Sequence, residues 1–243
     1  DATNGFDSFD SDGFTLEADD SSLGLNESSH NMVAWCWKES ATSGFDIVSY
    51  TGNGTDDTDI SHNLSAVPKM IIVKNLDAAD DWQVYHSANT AAPETDYLVL
   101  NETDATADNV NRWSDEAPTS SVFTLGDGNE VNTDTEDYIA YCFAEKQGYS
   151  KFGSYVGNGN ADGTFIYTGF RPAFVIIKRT GSAEHWTTYD NKRDTYNVAE
   201  HYLLPSATNA ENTYSTSVLD FVSNGIKIRG TDDTLNNADS DPY

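Results

Sequence analysis

The chain has 243 residues, enough for one large or two modest domains with hydrophobic cores. Its 40 acidic and 13 basic side chains give a net charge of −27, which repels nucleic-acid phosphates and anionic membranes and reads first as a solvated, self-repelling surface. No apolar run reaches the about 18 residues of a membrane-spanning helix, and aromatic residues at 12% argue against disorder.

Residues 1–30 are rich in Asp, Ser, Gly and Asn and predict a loop with one short strand, Gly13 to Glu17. Asn31 to Lys38 alternates Met32, Ala34 and Cys36 with Val33, Trp35 and Trp37, the period of a strand. Phe45 to Tyr50 is a strand closed by Gly52-Asn53-Gly54, residues that favour turns. Lys69 to Lys74 is a short β-branched run after Pro68 and predicts a strand buried on both faces, as does Phe174 to Lys178. Asp81–His86 and Trp186–Tyr189 follow through short hairpins, then Tyr97–Asn101 and Tyr202–Leu204. Glu102–Asn109 and Ser206–Asn212 are segments that could hold a helical turn. Val122–Leu125 and Gly225–Arg229 are strands, Gly126–Glu136 an acidic loop, and Asp137–Ala144 a strong strand. Short strands at even spacing with Gly, Asn and Asp turns predict an all-β fold of tandem antiparallel β-sandwich-like, jelly-roll or lectin-like units.

The word tandem rests on an internal repeat. Ser49-Tyr50-x-Gly52-Asn53-Gly54 returns 105 residues later as Ser154-Tyr155-x-Gly157-Asn158-Gly159. Pro68 and the run after it return as Pro172 and its run, and Trp82-x-x-Tyr85 as Trp186-x-x-Tyr189. Met32 to Glu39 resembles Tyr138 to Glu145. The expected organisation is a partial repeat at 1–44 packing on the next unit, a whole unit at 45–148, and a unit at 149–243 that stops where the Tyr138-type strand would begin. On that reading the chain is a piece of a longer polypeptide.

Cys36 and Cys142 hold matching places in matching strands, which predicts two free buried thiols. The five histidines show no metal-ligand spacing, no nucleophile elbow is present, and Gly52-Asn53-Gly54 lacks the Lys and Ser/Thr of a phosphate loop. No enzyme is expected. Calcium is the one cofactor considered, because Asp10 and Asp12 (with Asp7), Asp56, Asp57 and Asp59, and Asp232 and Asp233 crowd loops that could offer oxygen ligands. For a sugar ligand the candidate stacking rings are Trp113, Tyr85 and Tyr189. Trp82 and Trp186 recur, which points to the core, whereas Trp113 has no clear counterpart and is expected at the surface.

Taken together, Tyr-x-Gly-Asn-Gly, Pro-x-x-Ile/Val-Ile-x-Lys, Trp-x-x-Tyr, Tyr138-Ile-Ala-Tyr-Cys-Phe-Ala-Glu145 and Ser150-Lys-Phe-Gly-Ser-Tyr155 resemble a domain of unknown function common in marine bacteriophages, over about residues 31–243. The resemblance implies a virion-surface structural protein, a tail-fibre or appendage segment that attaches to a host glycan or protein receptor. It implies other virion proteins as partners, a homo-oligomer (fibres of this kind are usually trimeric), and neither nucleic acid nor membrane insertion. The alternatives are a capsid decoration or fibre-shaft protein with structural contacts alone, and third an enzyme that trims polysaccharide. The resemblance carries no catalytic residues.

Overall fold

The computed structural model describes residues 5–17, 24–232 and 236–243. It divides at Trp37 and Lys38 into two compact units. In the first, β1 (Phe6–Phe9) pairs antiparallel with β2 (Phe14–Leu16), bulging between Phe6 and Ser8. Phe6 stacks on Phe14 at 5.2 Å, and one Asp10 carboxylate accepts the hydroxyls of Ser8 and Thr15. The predicted strand at Asn31–Lys38 is absent as such: these residues lie outside every strand, and Met32, Val33 and Cys36 are exposed. Alternation marks a segment able to join a sheet; it does not supply the neighbouring strand that forms one.

The second unit, Lys38–Tyr243, is nearly all β and antiparallel throughout. Its earlier strands are β3 (Phe45–Thr51), β4 (Thr58–Ser61), β5 (Met70–Asn75), β6 (Gln83–His86), β7 (Asp96–Val99) and β8 (Ala107–Asp108). A single turn, α1 (Val110–Trp113), precedes β9 (Val122–Leu125), and another, α2 (Asn129–Asn132), precedes β10 (Asp137–Phe143). The helical turns therefore fall just beyond Glu102–Asn109 and inside the expected acidic loop. The first is fixed by Asn109, whose side chain caps the Asn111 amide, a local hydrogen bond that residue composition does not reveal.

Six strands form one sheet in the order β3-β10-β5-β6-β7-β8, and β4 pairs with β9 as a separate ribbon. Ile71, Val73, Tyr85, Tyr138, Ala140 and Cys142 of the sheet share one buried cluster with Ile60, Phe123 and Leu125 of the ribbon. This is a sandwich, with the core between the two layers. β10 is an interior strand, paired with β3 on one side and β5 on the other, and its alternate residues Tyr138, Ala140 and Cys142 are completely buried.

The later strands are β11 (Phe165–Tyr167), β12 (Phe174–Ile177), β13 (Thr187–Asp190), β14 (His201–Tyr202), β15 (Asn212–Thr213), β16 (Leu219–Val222) and β17 (Gly225–Ile228). They form the sheets β11-β17-β16, β12-β13 and β14-β15. Ile177, Tyr189, Tyr202, Leu219, Phe221, Ile226 and Ile228 build a second core cluster. β12 is half-buried over Phe174–Ile176, unlike the deep burial expected of it, because among the described residues it pairs with β13 alone.

A third cluster joins the two halves. Trp186 packs with Met70, Val84 and Leu98, and Phe152 and Ile176 close over them. The Trp186 indole N–H donates to the Val99 carbonyl at 2.8 Å, and the Thr106 amide to the Thr180 carbonyl at 3.0 Å. Trp186 is therefore core, as its recurrence suggested, but it is the core of a seam. Removing a ring of this size from such a site costs about 3–5 kcal/mol. Trp186→Ala should lower unfolding stability in urea by that order, and cleavage between the halves by a non-specific protease should rise with it.

Candidate functional site

The residues that recur in the sequence converge at two places with the same set of bonds. At the first, Asn132 is completely buried. Its side-chain oxygen accepts the Asn53 amide at 2.9 Å, and its NH2 group donates to the Thr55 and Gly126 carbonyls at 2.9 and 3.0 Å. At the second, Asn237 accepts the Asn158 amide at 3.0 Å and donates to Asn160 and Gly230, both at 2.8 Å. Carbonyl partners on one side and an amide N–H on the other fix the orientation of each side chain.

The glycines of the motif allow this approach. A Cβ on Gly52 would lie 2.1 Å from the Thr133 carbonyl oxygen, and one on Gly157 would lie 2.1 Å from that of Ala238. The tyrosines complete the arrangement. Tyr50 stacks on Tyr138 at 5.2 Å and Tyr155 on Tyr243 at 4.9 Å. The Tyr50 hydroxyl donates to the Val131 carbonyl at 2.7 Å, and that of Tyr155 to Asn236 at 2.8 Å. The Thr133 amide donates to the Tyr138 hydroxyl at 2.9 Å, and the Ala238 amide to that of Tyr243 at 2.7 Å. Burial, and then the neighbouring Tyr138 or Tyr243, pushes the Tyr50 and Tyr155 phenols well above their ordinary range, so each remains a neutral donor. Every polar atom in the two motifs that these bonds use is committed to backbone.

Ser49, Tyr50, Thr51, Leu76, Asp137 and Tyr138 line a shallow concavity of about 330 Å³ beside the first arrangement. Its polar rim is already paired: Thr51 donates to the Asp137 carboxylate at 2.8 Å, and the Asp137 amide to Asp77 at 2.7 Å.

The rings chosen from the sequence lie inside the cores. Trp113, expected at the surface, is 2% exposed and meets Tyr85 edge-on at 6.1 Å. Its lack of a counterpart reflects a local difference between the halves: α1, which carries it, occurs once. Tyr85 and Tyr189 are buried too, and Tyr189 donates to the Ser217 carbonyl at 3.0 Å. The rings that do face solvent include Tyr167, Tyr196 and Tyr214. Tyr196 and Tyr214 stand where the first half has Ala and Val, a mismatch visible in the sequence.

The calcium candidates are dispersed. Asp10 serves the β1–β2 hairpin, while Asp12 and Asp57 are exposed. Asp56 accepts the Ser114 hydroxyl at 2.7 Å and Asp59 that of Thr124 at 3.0 Å. Asp233 lies outside the described residues. Among the described residues no group of three or more His, Cys, Asp or Glu side chains is placed to hold a metal ion. Cys142 is buried with its thiol pushed up to about 12 by burial, then by Asp46, whereas Cys36 is free and exposed, not buried as expected, because its segment is in no sheet.

Two basic groups show what burial does here. Lys178 donates its three N–H bonds to the carbonyls of Thr103, Arg179 and Glu184, and burial lowers its amine to about 8. Lys74 makes the equivalent bonds to Asn75 and Ala78. His86, opposite Met70 in the β5–β6 pair, has its imidazole lowered to about 4 by burial. Asp190 holds the matching place opposite Phe174 and binds Arg193.

A family model described as a domain of unknown function, DUF7483, matches residues 1–241. No curated protein and no solved structure matches the chain.

Asn132→Ala removes a completely buried side chain and the partner of the buried Gly126 carbonyl and of the part-buried Asn53 and Thr55 groups, and should cost roughly 2–4 kcal/mol, measured by urea unfolding, with Asn237→Ala behaving alike. His86 makes a second, pH-dependent expectation. Its folded pKa lies below the unfolded 6.5, so the unfolded chain binds the extra proton between the two values. Its contribution is present above pH 6.5 and is lost as pH falls towards 4. Stability should therefore drop by roughly 1–2 kcal/mol over that window, after discounting for partial exposure. His86→Asn should remove that part of the slope, leaving the opposite contribution of His201, whose pKa Asp194 raises.

Proposed function

The chain belongs to the DUF7483 family, and from that premise we propose that it is a structural segment of a virion-surface appendage of the tail-fibre kind, built from two copies of one β module. The observation that carries this reading is the matched use of the recurring residues. Tyr50, Asn132 and Tyr138, like Tyr155, Asn237 and Tyr243, hold backbone in place through matching hydrogen bonds. Residues kept in both halves for architecture are what a repeating scaffold requires. The virion setting comes from the resemblance of the motifs to the marine phage domain. The fold fits it, since an all-β chain with short strands and a shared seam builds length without chemistry. The reading assigns the chain no reaction. Its partners are other virion proteins and further copies of itself.

Host contact in this role falls to exposed rings such as Tyr167, Tyr196 and Tyr214, because Trp113, Tyr85 and Tyr189 are enclosed. That enclosure also favours the second reading, a capsid decoration or fibre shaft with structural contacts alone.

Gold-labelled antibody against the purified chain, applied to intact particles under the electron microscope, tests the proposal. Label along the tail or its appendages is the expected result. Label spread over the capsid supports the second reading, and particles that carry no label at all rule out the virion-surface placement.

A further inference from the structure

The β4–β9 ribbon and the β11–β17 pair turn matching residues inward. Ile60 pairs with Phe123 in one and Ile166 with Ile226 in the other, and all four pack in their cores. Their outward residues differ in kind. Asp59 and Ser61 of β4 stand opposite Thr124 and Val122, and both are exposed. The same places of β11 hold Phe165 and Tyr167, which are 45% and 65% exposed. A pairing that the first half builds with an aspartate and a serine does not need two rings there. Exposed apolar surface of this kind marks a contact.

Three details shape the face. Gly225 stands opposite Tyr167, and a Cβ on it would lie 2.1 Å from the Ile166 carbonyl oxygen and 3.0 Å from Phe165 Cε2, so the Phe165 ring reaches across β17 where a larger residue would stand. β16 joins β17 as a third strand, whereas β4 and β9 pair alone among the described residues. β11, β16 and β17 carry two charged residues, Asp220 and Lys227, and each has its opposite, Arg229 at 2.8 Å and Asp162 at 2.7 Å.

We infer that this face binds a neutral glycan, with Phe165 and Tyr167 stacking on the C–H sides of its sugar rings and the flanking polar groups taking hydroxyls. The inference deepens the host-contact role proposed above; it rests on the duplicated-module part of that reading and does not require the virion placement.

Chemistry selects this occupant. Residues two apart on a strand share a face at about 7 Å separation, so the rings offer two adjoining flat patches. Such faces meet the C–H side of a pyranose, while the exposed Ser223 and Asn224 and the paired Asp220 and Arg229, all on or beside the β16–β17 hairpin, offer donors and acceptors around it. The closed ion pairs leave the three strands without net charge on a chain of −27, so a charged ligand finds no counter-charge on them. The area does not suit a folded partner or a second copy. At about 200 Å² for a whole ring the two expose roughly 220 Å², against about 800 Å² per partner in a stable protein interface.

Hexasaccharides of glucose, mannose, galactose and N-acetylglucosamine, with a uronic-acid hexasaccharide as the anionic comparison, are titrated into the full chain and followed by saturation-transfer NMR and calorimetry. Binding of at least one neutral series, with saturation strongest at ring C–H protons, is the expected result. Tyr167→Ala should weaken it about three- to tenfold. Phe165→Asp with Tyr167→Ser places the first half's residues on β11; it should abolish binding and leave the urea midpoint unchanged. Tyr149→Ala, at an exposed ring on the turn closed by Lys146 and Ser150, should change neither. Binding that survives the double substitution overturns the site. Binding of the anionic sugar alone, or of no sugar, overturns the inference and leaves the module reading standing. Self-association that the double substitution abolishes, seen by sedimentation, gives the rings to a second copy and also overturns it. A double variant that unfolds overturns the correspondence with Asp59 and Ser61, and the module reading with it; Tyr167→Ala, a truncation at an exposed ring, still reads the sugar contact in that case.

Discussion

Two completely buried asparagine side chains hold this structure's layers together. Asn132 reaches from the loop before β10 to the turn after β3, satisfying the Asn53 amide, the Thr55 carbonyl and the buried Gly126 carbonyl, and its own polar atoms are satisfied in return. Leaving such groups without partners costs about 1–3 kcal/mol each. The turn they hold is glycine because a Cβ at Gly52 would strike the Thr133 carbonyl. The stacked pair Tyr50 and Tyr138 then locks the ends of β3 and β10 in register, and that register sets which residues of β10 face the core. A buried polar network that is fully satisfied specifies one arrangement far more sharply than apolar packing does. This explains why the repeated residues are so largely polar or small.

The same logic at Asn237 builds the second half, and the seam then decides how the halves relate. Trp186 sits at the place of Trp82 but is buried among Met70, Val84 and Leu98. Trp82 is only partly buried and stacks near Tyr141 at 6.3 Å. The two tryptophans hold matching places in the sequence, yet one is a partly buried ring and the other a buried structural pin. Lys178 adds to the pin by bonding the Thr103 carbonyl across the seam. Separate domains would leave these groups in water; here the unit from Lys38 to Tyr243 is continuous.

Much of the fold was legible because strands leave a local signature. β5, β10 and β17 declare themselves through β-branched runs and alternation, and the turns through Gly and Asn. What alternation cannot report is the presence of a neighbour, so Asn31–Lys38 reads as a strand and is not one. Nor does it report depth: Trp113 looked unmatched and therefore exposed, yet α1 turns it inward against Tyr85. The buried asparagines were missed for a related reason. Asn132 and Asn237 lie in loops where asparagine is commonplace, and only their spacing from the Gly-Asn-Gly turns, equal in both halves, could have singled them out. The acidic clusters misled in the opposite direction, since a run such as Asp56-Asp57 sends one carboxylate to Ser114 and leaves the next in solvent.

The net charge of −27 is unevenly spread along the chain. Between residues 45 and 148 there are 20 acidic and 4 basic side chains, whereas residues 149–243 hold 11 acidic and 8 basic ones. At physiological salt, charges more than about 8 Å apart on the surface are largely screened. The excess therefore acts mainly between near neighbours of the first half, where pairs such as Asp56 with Ser114 and Asp59 with Thr124 turn single carboxylates into hydrogen-bond acceptors while the others stay in solvent.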